Sequence, residues 1–203
     1  ADIDFIIKDL DEASRSVVAS RKDAMLRKRQ IFYFTDNEEE QPMIYPGRMV
    51  EARVIAVAPK AVRLEVFGVE CSVRARDMAW EWMPDATEKF QVGDLVLVCV
   101  NKVEAPDVEN VTVMADAKGA TENTNKDNLK KCHRQGKYSG IITDVYKGTY
   151  FIRLDLGVNA IAHECNMTNL PGKWDRIGFV VTRINEASEV AEGIITRMIK
   201  RHE

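Results

Sequence analysis

The sequence predicts an all-β protein: two small five-stranded barrels in tandem, with short linker helices, preceded by a β-hairpin from an incomplete module. Three observations carry this. A ten-residue pattern near the start, Phe5-Ile6-Ile7-Lys8-Asp9-Leu10-Asp11-Glu12-Ala13-Ser14, returns near the end as Phe179-Val180-Val181-Thr182-Arg183-Ile184-Asn185-Glu186-Ala187-Ser188. A looser copy, Val98-Cys99-Val100-Asn101-Lys102-Val103-Glu104, lies between them. The stretch Gly47 through Gly68-Val69 is also matched by Gly136 through Gly157-Val158. Repeats fix an architecture before any single element does.

Each copy of the first pattern is an alternating apolar run, a polar turn and a second apolar run (Val17-Val18-Ala19, Val111-Thr112-Val113, Gly193-Ile194-Ile195). That is a strand, a turn and a strand. Residues 1–20 therefore read as the closing hairpin of an incomplete module, separate from either complete barrel. Its apolar residues Phe5, Ile7 and Val17 need cover from the next helix, a barrel or a second molecule. Ser20 is placed to cap a helix from about Arg21 to Phe32, with Asp23 as its partner three residues on. The basic residues of that helix (Arg21, Lys22, Arg27, Lys28, Arg29) suit a solvated face or an RNA contact. Asp36 to Gln41 is an acidic turn, and residues 21–46 together form a linker.

The module 47–115 follows. Met49 to Ala56 alternates as a strand. Val62, Leu64 and Val66 mark a second, with Arg63, Glu65 and Phe67 on its other face, and Val69 to Arg74 a third. Asp77 to Phe90 reads as a short helix and loop, Val92-Gly93-Asp94 as a turn, and a hairpin closes the module. Residues 116–135 read as a polar linker, with a short helix near Asn128 to Arg134. The module 136–200 repeats the order: Tyr138 to Val145, a Lys147-Gly148-Thr149 turn, Tyr150 to Leu156, Val158 to His163, a loop to Trp174 and the hairpin 179–199. Five short strands with one irregular segment between the third and fourth is the order of an OB-type barrel, a fold that often binds oligonucleotides on one face.

Charge is unevenly spread. The chain is −3 overall; the first module has 8 basic and 11 acidic residues, the second 8 and 7. The second module is thus the better match for phosphate, without the excess of a strong non-specific binder. No apolar run is long enough to span a bilayer, so no membrane partner is expected. Cys71, Cys99, Cys132 and Cys165 form no CxxC pair, which fits a reduced, cytoplasmic protein.

With these residues in view, each complete module resembles the S1 RNA-binding domain. Gly136, Gly148-Thr149-Tyr150-Phe151, Gly157-Val158 and His163 fit the family pattern in the second module; Gly47, Gly68-Val69 and Val92-Gly93-Asp94 fit in the first. Ser20-Arg21-Lys22 is similar to the step from such a domain into its linker helix. The first module departs from the pattern at Lys60-Ala61-Val62 and at Arg74, where the family has histidine, which suggests a spacer or a protein-binding copy. The second has Glu189 near where the family often has a basic residue. The resemblance implies a partner in single-stranded RNA and a setting in bacterial translation or mRNA handling. The competing reading is a scaffold that docks on the ribosome or an RNA-processing protein.

Single strands are held by aromatic groups that stack on bases and by cations along the phosphates. By period two, Phe151 and Arg153 share the face opposite Ile152 and Leu154. Tyr150 can face either way, and both aromatics also suit the core. Lys147 sits in the preceding turn, and His163 ends the third strand. The expected RNA-binding residues are Lys147, Tyr150, Phe151, Arg153 and His163. Arg63 and Arg74 occupy secondary positions in the first module, which lacks a stacking group. Arg153 could instead pair with Asp155 or Glu164. Trp80, Trp82 and Trp174 suit a loop core or an exposed rim. His163 and Cys165, or Cys132 and His133, lack both the orienting third group of a nucleophile and the spacing of a zinc site. A phosphate-cradling glycine loop is also missing. The expectation is a binding protein, not an enzyme, with no cofactor and no metal.

Overall fold

A computed structural model describes residues 3–36, 41–165 and 167–202, with the Glu164 side chain left out. Residues 37–40 of the expected acidic turn and Asn166 of the last loop lie outside the described residues. The chain divides into two compact units: Ala1–Met78 with Asp85–Thr121, and Ala79–Pro84 with Glu122–Glu203.

The first unit opens with β1 (Ile6–Asp11) and β2 (Ser16–Ser20), which among the described residues pair only with each other. Helix α1 (Arg21–Phe34) follows at once. Its N-cap is Ser20, whose hydroxyl accepts from the Asp23 amide at 3.2 Å, satisfying one of the orphan donors of the first turn. Lys8 pairs with Asp23, and Lys28 with Asp4, so two ion pairs tie the hairpin to the helix.

The first barrel comprises β3 (Met49–Ala58), β4 (Ala61–Val66), β5 (Val69–Arg74), β6 (Leu95–Glu104) and β7 (Thr112–Asp116), in sheet order β5-β4-β3-β6-β7. The two edge strands β5 and β7 lie side by side, nearly closing the barrel. Val62, Leu64 and Val66 point inward and are fully buried, as alternation requires. Between β5 and β6 run the short helix α2 (Ala75–Met78) and a 3-10 turn at Ala86–Glu88.

Helix α1 is more than a linker. The Tyr33 hydroxyl donates to the Val66 carbonyl at 2.6 Å, the Arg29 Nε donates to the Gly68 carbonyl at 2.8 Å, and Phe32 stacks on Phe67 at 4.1 Å. Burial pushes the Tyr33 phenol well above its ordinary pKa. Gly68 has φ +88°, and an added Cβ would lie 2.7 Å from the Met25 carbonyl oxygen. Only glycine suits both the backbone and the helix approach.

The second unit contains β8 (Lys137–Tyr146), β9 (Thr149–Leu154), β10 (Asn159–Cys165), β11 (Arg176–Asn185) and β12 (Val190–Lys200). They close into a barrel of order β10-β12-β11-β8-β9, with β10 and β12 parallel. Phe179, Ile142, Ile152, Leu154, Ile177 and Ile195 fill its core. Helix α3 (Thr124–Leu129) starts four residues before the predicted one. The reason is Asn123, which caps it by accepting from the Lys126 amide at 3.1 Å. Leu129 and Cys132, in the segment read as a polar linker, are buried in the second core.

The internal repeat extends to the irregularities. The first strand of each barrel skips a residue against the second, at Ile55 and at Thr143. All three hairpins carry a bulge at the same repeat position: Lys8, Asn101 and Thr182. Bulges bend a strand and re-aim its side chains, so they are features of a module rather than noise.

Candidate nucleic-acid interface

The second barrel shows how its outer face is built. Phe151 of β9 lies opposite Asp144 of β8 and Ile161 of β10; Thr149 lies opposite Tyr146. Residues paired across a ladder share a face, and so do residues two apart. Asp144, Tyr146, Thr149, Phe151, Arg153, Ile161 and His163 therefore line one side of three adjacent strands. His163 Nδ1 lies 3.0 Å from Thr149 Oγ1, which confirms that the histidine sits on this side.

Lys147 occupies the tight turn from β8 to β9 with φ 49°, followed by Gly148 at φ 79°. Two successive positive φ values are those of a type I′ hairpin turn. Its ammonium lies 5.3 Å from the Tyr146 ring centroid, at the exposed edge of the face. Tyr150 goes the other way: it is buried with Ile152 and Leu154, so it is a core residue and cannot stack on a base here. Burial raises its phenol pKa.

Arg153 is half-buried and donates to Asn159 Oδ1 at 3.1 Å. Asn159 is itself held by Asn125, whose Oδ1 accepts the Asn159 amide at 2.7 Å, and by the Trp80 carbonyl at 3.0 Å. Burial draws the Arg153 pKa below its ordinary value. Asp155 turns to Arg176 and Ser139, not to Arg153. The alternative partner Glu164 falls outside the described side chains. Trp82, from the segment 79–84 of this unit, meets Phe151 at 5.1 Å between ring centroids and 78° between planes. Sequence reading missed Tyr146 as a member of the face. Its signal was its place just before the turn, in register with Thr149.

The first barrel places Arg63 where the second has Phe151, by the same pairing to its first strand. Arg63 lies 3.9 Å from Glu70, and Arg74, which stands where His163 does, donates to Asp77 at 2.8 Å. Glu65, the counterpart of Arg153, is buried and bound by Arg21 at 2.9 Å and Lys28 at 3.6 Å. Helix α1 thus covers this part of the face, and an anionic group sits where the second barrel has a cation.

Among the described residues, no group of three or more His, Cys, Asp or Glu side chains could hold a metal ion. No helix among the described residues is long and apolar enough to cross a membrane.

Both modules are five-stranded OB-type barrels, a class of small β-barrel that presents one sheet face to ligands. Residues 45–107 match the S1 RNA binding domain family, and the second barrel repeats the strand order and bulge of the barrel that contains this segment. No curated protein gives a significant match. Among solved structures, the chain is similar to one in the a/eIF2alpha-aDim2p-rRNA complex from Pyrococcus horikoshii, with 16% identity over 43% of this chain and a TM-score of 0.34. It spans 56% of that relative's length. A multidomain protein with nucleic acid binding domains from Streptococcus pneumoniae matches at 12% identity over 95% of this chain and 68% of that one, TM-score 0.28. RNase R from Mycoplasma genitalium matches at 12% identity over 75% of this chain and 22% of that one, TM-score 0.25. At such scores none of these likenesses bears on function.

Proposed function

We propose that the chain binds single-stranded RNA on the outer face of its second barrel, as a binding protein rather than an enzyme. The observation that carries this is the patch of Tyr146, Phe151 and His163 across three strands, with Lys147 at its edge and Arg153 beside it. Stacking groups and a cation in one patch are what a sequence-tolerant single-strand site needs. The S1 resemblance supports a role in bacterial translation or mRNA handling, in the cytoplasm. The test is a salt titration of binding to a short unstructured RNA. Affinity should fall steeply as salt rises. Affinity for a ribosomal or processing protein, with none for RNA, would favour the scaffold reading instead.

Two variants sharpen the assignment. Lys147→Gln keeps a polar, slightly shorter side chain and removes its charge. It should weaken binding evenly across RNA sequences and reduce the slope of log K against log salt by about 0.7, the value for one phosphate contact on a single strand. Trp82 reports on the stacking position. A base that reaches Phe151 must touch Trp82 or move it, so RNA should change the tryptophan emission. That change should be lost in Trp82→Phe and kept in Trp174→Phe.

A further inference from the structure

The hairpin β1–β2 matches β11–β12 pair for pair. Ile6 faces Ser20 as Val180 faces Ile194; Leu10 faces Val17 as Ile184 faces Ala191; Asp11 faces Ser16 as Asn185 faces Val190. Lys8 and Thr182 are skipped at the same point. The surroundings differ. Phe179 is 1% exposed and Val181 and Ala191 are 0%, whereas their counterparts Phe5, Ile7 and Val17 are 54%, 52% and 56% exposed. In the second barrel, β11 lies antiparallel to β8 on its free edge, and β12 lies parallel to β10. Among the described residues, β1 and β2 have neither neighbour.

We infer that β1–β2 is a docking surface for a three-stranded sheet, the opening strands of a third S1-type module, supplied by the same polypeptide N-terminal to Ala1. One strand of that sheet runs antiparallel beside the start of β1, and another runs parallel beside β2. Together they bury Phe5, Ile7 and Val17 as the second barrel buries Phe179, Val181 and Ala191. The barrels of a second copy offer no free edge, and its own hairpin offers two strands where β8, β9 and β10 supply three. Every strand of the second barrel has two ladder neighbours, and the edges of the first sheet lie against each other. An apolar two-stranded ribbon left open is a site for unwanted pairing. One difference bears on the packing of Phe5: Gly193, against which the Phe179 ring packs, is Ala19 in the hairpin. Phe5 must therefore sit differently over the completed core.

The test is hydrogen exchange on two polypeptides: residues 1–203, and the same chain extended by what its gene encodes upstream of Ala1. The amides of residues 5–10 and 16–20 should exchange about a hundredfold more slowly in the extended chain, as for a hairpin moved from a frayed edge into a barrel. Phe5→Asp in the extended chain should remove that protection and leave the two following barrels unchanged. Equal exchange in the two polypeptides would overturn the inference. So would an upstream sequence without three alternating strands. A concentration-dependent dimer of residues 1–203, dissolved by Phe5→Asp, would overturn it in favour of a second copy as occupant.

Discussion

Phe151→Ala is expected to weaken binding of single-stranded RNA by about 1–3 kcal/mol, or roughly 5- to 150-fold in Kd, the loss of one base stack. The ring stands on the outer side of β9, while Tyr150, Ile152 and Leu154 hold the strand to the core. Its truncation therefore leaves the barrel folded, and the thermal midpoint should move little. Phe151→Tyr should restore most of the affinity, because any aromatic face can stack. Arg63→Ala and Arg74→Ala are the matched controls. Arg63 stands in the position of Phe151 but offers no ring, and both arginines have acidic neighbours within 4.0 Å. Their Kd values should stay within about twofold of the parent, as exposed ion pairs contribute little. An equal loss from Arg63→Ala and Phe151→Ala would mean that the two modules share the work. Unfolding by Phe151→Ala would return the ring to the core.

Much of this face was legible in the sequence because a strand's side-chain period is two. With Ile152 and Leu154 inward, Phe151 and Arg153 must share the outer side, and the ladder to Ile161 and Asn159 has that register. The same rule placed Val62, Leu64 and Val66 in the first core. The Ser20 cap was legible too, because capping is local chemistry. Tyr150 was ambiguous at the strand start and is resolved only by its burial.

Contacts distant in sequence were not legible. Glu65 reads as an exposed alternating residue, yet α1 comes back over it from 44 positions away through Arg21. The positive helix thus spends Arg21, Lys28 and Arg29 on contacts inside its own unit, while Lys22 and Arg27 are exposed. Nor could any local pattern bring Trp82 against Phe151. In the first module, Arg63 stands where the second has a ring and has Glu70 3.9 Å away, and Glu65 is buried and bound by α1. The difference between the modules lies in what covers their faces; the barrels share strand order and bulge.

The segment 116–135 illustrates the same limit, and its correction carries the largest expected effect on stability. It is rich in Lys, Asn and Asp, and composition alone makes it a linker. Yet one turn of α3 turns Leu129 inward, and Leu129 and Cys132 join Ile152, Leu154 and Phe179 in the second core. Asn125 of the same helix is almost fully buried, holding the Asn159 amide and donating to the Glu189 carbonyl at 2.7 Å. Leu129→Ala should therefore destabilise the second unit by about 2–5 kcal/mol, the cost of the lost transfer energy and the cavity left behind. That is a large share of the roughly 5–15 kcal/mol that holds a domain together. Denaturant unfolding should show a lower midpoint for the second unit and an unchanged one for the first. Lys130→Ala, on the exposed side of the same segment, should change neither by more than about 0.5 kcal/mol. RNA binding should fail in Leu129→Ala only where the second unit unfolds, because the side chain lies in the core and not on the stacking face. A neutral Leu129→Ala would restore the linker reading and leave residues 136–200 as a module that folds without α3.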